Sequence, residues 1–289
     1  MVGLPRISIV TPSFNQGRYL ERTILSVLDQ RYPKLEYIVI DGGSTDESVD
    51  IIRKYEPHLA YWVSEPDRGQ SHAINKGFAR ATGDILAWLN SDDYYLPEAL
   101  PKVAAAALTH PEAAVFVGAG QVLDPASKMW PKAPPTRITL ETLYNWLDGS
   151  DFMQPSCFFR GFVWDRVGPL DEGLHIAFDV DLWLRMARDG CAFMTLTDVL
   201  STAEAHPEAK TMAYRYLMQV DFAIVAMRHG GEVVARKHLE DMAQRLSWCE
   251  PNVEKMLSHP VWKLLEPLVT RFIRPAVRRR DTRPRWMRG

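Results

Sequence analysis

Two patterns of apolar residues alternate through the first half of the chain. Ile7-Ser8-Ile9-Val10, Tyr37-Ile38-Val39-Ile40 and Ile85-Leu86-Ala87-Trp88-Leu89 are short, nearly continuous apolar runs, as expected of strands covered on both faces. After the first run, Leu20, Ile24, Val27 and Leu28 share one face of a helix predicted from Tyr19 to Gln30. Leu59 to Val63 predicts another strand, and Ile74 to Ala81 part of the helix that precedes the 85–89 run. Strands that alternate with helices in this way predict an α/β fold whose mostly parallel sheet is flanked by helices. Further on, Ala114 to Gly118 reads as a strand, and Pro131, Pro134 and Pro135 mark a loop. Helical spacing returns at Leu140 to Leu147, at Asp179 to Arg188 and through most of 211–248.

Two of the predicted strands run into acidic turns, Asp41-Gly42-Gly43-Ser44-Thr45-Asp46 and Asn90-Ser91-Asp92-Asp93. In open α/β sheets ligands bind beyond the carboxyl ends of the strands. Adjacent carboxylates at 92 and 93 repel unless a cation neutralises them, and a hard ion that shares its shell with phosphate oxygens suits such a pair. The plainer alternative is that both acids cap the helix expected after Pro97. Asp179 and Asp181 stand at the start of an apolar helix, where the macrodipole favours carboxylates. One of them could instead serve as a general base, a role closed to a carboxylate saturated by metal.

Composition narrows the class. With 289 residues, 46% hydrophobic and 24% charged, the chain suits a globular enzyme with a large core. Its three cysteines lack the paired spacing of zinc or redox sites and read as reduced thiols of a cytosolic protein. No apolar run reaches membrane-spanning length, and no signal-peptide stretch opens the chain, so a cytoplasmic location is expected. Charge is distributed unevenly: eight arginines stand against one aspartate in 271–289, although the whole chain carries only −2. Val261, Leu264, Leu265, Leu268, Val269, Phe272 and Ile273 recur at helical spacing beside those basic residues. Residues 261–289 thus suit peripheral binding to an anionic membrane surface, or packing of the stripe on the body. An acidic body without a nucleic-acid module argues against nucleic acid as a partner.

Taken together, several segments carry a resemblance that none carries alone. Thr11-Pro12-Ser13-Phe14-Asn15, the 41–46 and 90–93 turns, Asn75-Lys76-Gly77, Ala81-Thr82-Gly83-Asp84 and Asp179-Val180-Asp181-Leu182-Trp183 resemble the family-two glycosyltransferases with a Rossmann-like GT-A fold. The likeness implies an inverting, metal-dependent transfer from a nucleotide diphosphate sugar, with UDP-sugars favoured, to a hydroxyl of a glycan or lipid-linked glycan. It further implies a GT-A domain over 1–210, with a nucleotide-binding half to about 110 and an acceptor half beyond it. A helical region over 211–289 would follow.

Residue by residue, the resemblance places Thr11, Pro12 and Phe14 in the nucleotide pocket and Asp41 beside the base or ribose. Asp92 becomes a ribose or diphosphate contact, Asp93 the ligand of Mn²⁺ or Mg²⁺, and Asp179 the catalytic base, with Asp181 as its substitute. Arg68 and Gln70 fall near the diphosphate and donor sugar, Gln154-Pro155-Ser156 on the acceptor side. His206 would complete the metal shell and Lys210 would offset phosphate charge. Two positions depart from the family pattern: Phe178 replaces a glutamate, and Gly42 a second aspartate that contacts the base. Rival readings are a nucleotidyltransferase, for which no glycine-lysine phosphate loop is present, and a catalytically silent glycan-assembly subunit.

Overall fold

The structure, a computed structural model, describes residues 3–149 and 151–258. The expected basic segment 261–289 lies outside the described residues.

The first 90 residues build a parallel sheet from β1 (Ile7–Ser13), β2 (Leu35–Asp41), β3 (Tyr61–Ser64) and β4 (Ile85–Trp88), ordered β3-β2-β1-β4. Side chains alternate across it with the period of two that a strand imposes: Val10, Ile38 and Ile40 enter one core cluster, and Ile9, Tyr37 and Val39 the other. Helices α1 (Gly17–Leu28), α2 (Ser48–Tyr55) and α3 (Gln70–Phe78) connect these strands. α1 buries Leu20, Ile24 and Val27, each contributing about 1.5–3 kcal/mol by leaving water. Gly77 lets α3 approach β1 closely, because a Cβ there would collide with Val10.

Beyond β4 the sheet becomes mixed. The elements in chain order are β5 (Tyr94–Tyr95), α4 (Ala99–Thr109), β6 (Val115–Leu123), β7 (Met129–Lys132) and α5 (Leu140–Tyr144). Then come β8 (Cys157–Arg160), α6 (Gly161–Val167), α7 (Phe178–Arg188) and β9 (Phe193–Glu204). β8 is antiparallel to both β4 and β6, β9 is parallel to β6, and β5 closes the order antiparallel to β9. The short connection from β6 to β7 permits only a hairpin, and the two strands pair antiparallel.

Two reversals, at β8 and again at β6, leave β6 and β9 running in the same direction as β4. The carboxyl ends of β1, β2, β3, β4 and β9 therefore open on one edge of the sheet. The Asn90–Asp93 turn and residues after Glu204 reach this edge from opposite ends of the sequence. α4 starts at Ala99 behind Glu98, with no side-chain cap, so Asp92 and Asp93 do not cap it.

Helices α8 (Lys210–Ala213) and α9 (Arg215–Arg228) follow, and α10 (Glu232–Ser258) ends the described chain. Two compact units divide at Arg236–Lys237, so α8 and α9 belong to the first unit with the sheet. None of the described helices is long and apolar enough to cross a membrane.

Candidate active site

Asp41, at the end of β2, is fully buried and accepts hydrogen bonds only from the protein around it. Its Oδ1 takes the Ser44 hydroxyl at 2.5 Å; its Oδ2 takes the amides of Gly43 and Ser44 at 3.1 and 2.8 Å and the Ser64 hydroxyl at 2.7 Å. The turn it organises is closed against β1 by Asn15, whose amide donates to Ser44 and whose Oδ1 accepts from the Thr45 amide. Thr11 is buried against the Tyr37 hydroxyl at 3.0 Å, and Pro12 lies buried within β1. Phe14 projects outward and is 59% exposed. The room a side chain at Gly42 would need is taken by the carboxylate of Asp67, 2.8 Å from an ideal Cβ.

The Asn90–Asp93 turn is held from below by Thr23 of α1, whose hydroxyl donates to the carbonyls of Ser91 and Asp93. Asn90 links three segments: it accepts from Gln70 at 2.7 Å and donates to Asp93 and Gln154, both at 3.1 Å. Gln154 in turn donates to the Trp88 carbonyl at 3.0 Å. Burial, then the adjacent Asp92 charge, pushes the Asp93 carboxyl well above the usual carboxylate range. His206, stacked on Tyr19, places Nε2 3.0 Å from Asp92, and this contact raises its imidazole above the ordinary value. Its Nδ1 is buried without a partner.

A third group forms around Lys210. Burial lowers its ammonium to about 8, while Asp179, Asp92, Asp221 and Asp67 act in the opposite sense. Its Nζ donates to the His175 carbonyl at 3.1 Å. Asp179, half-buried in the first turn of α7, has its carboxyl raised to about 7 by desolvation. The imidazole of His175, beside Tyr214, is lowered to about 4 by burial and by the Lys210 charge. Asp181 has no such freedom: its oxygens accept from His229 Nε2 at 2.8 Å and Arg185 Nε at 2.9 Å. Burial alone would raise its carboxyl, but those two partners hold it below the usual range.

The sequence-predicted residues thus fall into two places. Gln70 and His206 bond to the turn of Asp92 and Asp93 after β4, and Lys210 stands in the electrostatic reach of Asp92 and of Asp179. Arg68 is engaged elsewhere, paired with Glu172 at 2.7 Å on a 68% exposed side chain. Sequence reasoning misses Thr23, His175, Glu172 and Asp221. Only Asp221 leaves a trace in the pattern, as a single acid within the apolar run from Val220 to Ala226.

Among the described residues no three His, Cys, Asp or Glu side chains converge as a metal cluster. That suits Mg²⁺ or Mn²⁺, which take one or two carboxylates and complete their shells with water and substrate phosphate. The buried Asp93 carboxyl, pressed by Asp92, and the orphaned Nδ1 of His206 are the polar groups such an ion would satisfy.

In open α/β folds a sheet edge of this kind, here lined with the carboxylates of Asp41, Asp92 and Asp93, is where ligands bind. The profile of glycosyl transferase family 2 matches residues 8–165, and the chain belongs to that family. An uncharacterized glycosyltransferase of Mycobacterium tuberculosis is 35% identical over 197 residues, covering 65% of this chain and 71% of the relative. TarS of S. aureus, in complex with UDP-GlcNAc, superposes with a TM-score of 0.63 at 21% identity, over 78% of this chain and 65% of TarS 1-349. The mannosyltransferase PcManGT of Pyrobaculum calidifontis, in complex with GDP-Man and Mn²⁺, gives 0.59 at 20% identity, over 96% of this chain and 87% of its own. These two likenesses show a shared GT-A fold. The chain spans just under two thirds of the TarS 1-349 chain.

Proposed function

We propose that this glycosyltransferase moves a sugar with inversion from a nucleotide diphosphate donor to a hydroxyl of a glycan or lipid-linked glycan. The observation that carries the reading is Asp179: a half-buried carboxyl near 7, beside the Lys210 ammonium and apart from the 92–93 pair. A carboxyl poised there is basic enough to take a proton near neutral pH. Asp179 accepts the proton of the acceptor hydroxyl; the freed oxygen attacks the anomeric carbon and the nucleotide diphosphate departs from the opposite face. Lys210 offsets negative charge on the departing diphosphate. Asp93 and His206, which contacts the adjacent Asp92, would hold Mn²⁺ or Mg²⁺, which would supply Lewis-acid stabilisation of that same charge.

Phe14 and the floor of Thr11 and Pro12 receive the nucleotide, and Asp92 and Gln70 stand toward the ribose, diphosphate and donor sugar. A UDP-sugar is the favoured donor, in keeping with UDP-GlcNAc in TarS, whereas PcManGT holds GDP-Man. Residues 261–289, by their sequence pattern, suit an anionic membrane surface on which a lipid-linked acceptor would lie.

Screening UDP-, GDP- and dTDP-sugars for metal-dependent release of the nucleotide diphosphate tests the reading. Asp93→Asn is expected to remove most of the Mn²⁺-linked nucleotide affinity in calorimetric titration, because an amide lacks the charge that holds a hard cation. Undiminished metal-linked binding would take Asp93 off the ligand set. Absence of release from every donor, with nucleotide still bound, would favour the silent-subunit reading.

A further inference from the structure

α9 follows the catalytic segments in sequence and lies beyond the matched family region, yet it grips the stretch that leads to Asp179. Asp221 is buried, and its carboxylate accepts from the backbone amide of Ile176 at 3.2 Å. The carbonyl of His175, the residue before it, receives the Lys210 ammonium. Residues 175–176 are therefore held through the Ile176 amide by α9 and through the His175 carbonyl by Lys210. Two residues later α7 begins, and Asp179 lies in its first turn.

Neighbouring contacts follow the same helix face. Arg228, seven residues after Asp221, pairs with Asp171 at 2.8 Å, and His229 at the end of α9 reaches Asp181 at 2.8 Å. Phe222 and Val225 of α9 enter the same apolar cluster as Phe178, Leu182 and Trp183 of α7. The polar grip thus stands on a packed interface, which fixes its geometry.

We propose that Asp221 is a positioning residue for transfer: it fixes the His175–Ile176 backbone that seats Lys210 and starts the helix of Asp179, and it supplies negative charge that keeps Lys210 cationic. This rests on the reading of Asp179 as base and Lys210 as the diphosphate partner. A buried acid is a costly way to hold a backbone amide, since an ordinary loop would satisfy it with a hydroxyl or a carbonyl. Its charge has a purpose if a desolvated ammonium must remain protonated beside it. The groups acting on Lys210 are Asp179, Asp92, Asp221 and Asp67, and those acting on Asp221 are Arg228 and Lys210. Burial raises the Asp221 carboxyl, in opposition to the Ile176 amide and the two cations.

The test uses the full chain, with Asp221→Asn and Asp221→Glu. Brief acetylation with dilute acetic anhydride across the neutral and alkaline range, read on the Lys210 peptide by mass spectrometry, follows the ammonium without any donor. Its midpoint, about 8 in the parent protein, should move to lower pH in Asp221→Asn and stay near the parent value in Asp221→Glu. Turnover of the nucleotide sugar should fall on the order of 10–100-fold in Asp221→Asn, mainly in kcat with the donor KM little changed, and recover in part in Asp221→Glu. A folded Asp221→Asn whose Lys210 midpoint is unmoved would overturn the inference, even if its Tm is lower, and so would unchanged turnover. The base reading fails separately: Asp179→Asn would then retain turnover while the Lys210 midpoint still responds to Asp221.

Discussion

Asp41 at the end of β2 and Asp179 at the start of α7 are both withdrawn from solvent, yet their surroundings treat them in opposite ways. Asp41 receives two amides and two hydroxyls from its own turn and from β3. In the same turn, burial would raise the carboxyl of Asp46, but Ser48 and Gly17 hold it below the usual range. Asp179 accepts from the Val180 amide at 2.8 Å, and burial prevails over that bond. Around it Asp221 is also raised, and Lys210 and His175 are lowered. Carboxylates that have completed their hydrogen bonds shape a site, whereas those held in the less favourable protonation balance are ready to exchange protons or meet a ligand. The turn after β2 is closed by its own hydrogen bonds, and on the proposed reading the α7–α9 side carries the acid–base chemistry.

The largest effect that could break this contrast is on turnover. Asp179→Asn should bind donor as before and lose about 10²–10⁴-fold in rate, the usual range for a positioned base. Its folded state should not suffer. A raised carboxyl favours folding only while protonated, and that advantage is lost as pH rises from the unfolded value through about 7. The variant should therefore melt no lower than the parent at mildly alkaline pH. In the parent, kcat/KM should rise as Asp179 ionises near 7 and fall as Lys210 loses its proton near 8. Loss of rate without loss of the acid limb would move the base to another residue.

Asp41→Ala tests the opposite side and should appear in stability. It leaves the Gly43 and Ser44 amides and two hydroxyls without their acceptor, at about 1–3 kcal/mol for each buried group left unmet. A fall in Tm of roughly 10 °C or more is expected for a unit of this size. Should the variant melt like the parent and lose only nucleotide affinity, Asp41 would be a ligand contact and the division between scaffold and chemistry would fail at this residue.

Local sequence pattern is enough to make the donor side legible. β1, β2 and β4 coincide with uninterrupted apolar runs because central parallel strands are covered on both faces, and the acidic turns after β2 and β4 follow directly in sequence. β9 leaves no such signal, because most of it is only half covered and its partner β6 lies some seventy residues earlier. The same distance hides the links that assemble the site: His206 meets Asp92 across 114 positions, and Arg68 meets Glu172 across 104. Arg68 suits phosphate by residue type alone, and the structure gives it a carboxylate. Asp181 is interchangeable with Asp179 by residue type, but one helical turn places Arg185 beside it and α9 adds His229. Periodicity reports what a segment buries; it does not report which distant charge that segment will meet.

The smallest effect sharpens the contrast within the donor side itself. Phe14 follows β1 directly and leaves 59% of its surface exposed, although the strand before it is entirely buried. An aromatic ring held in water at the mouth of the proposed nucleotide site contributes little to the fold, since most of its apolar area is never removed from solvent. Against a planar base the same ring would gain about 0.5–1.5 kcal/mol from stacking. Phe14→Ala should therefore weaken UDP binding in the presence of Mn²⁺ by roughly 2–10-fold, measured by calorimetry, and leave Tm within about 1 °C of the parent. The backbone of the next residue argues that the turn will survive the change. Asn15 sits at a φ of 52° and is tied to Ser44 and Thr45 through its own amide and side chain, so the ring is not what holds it. A lower Tm with unaltered affinity would make Phe14 a packing residue and leave the base without its expected platform.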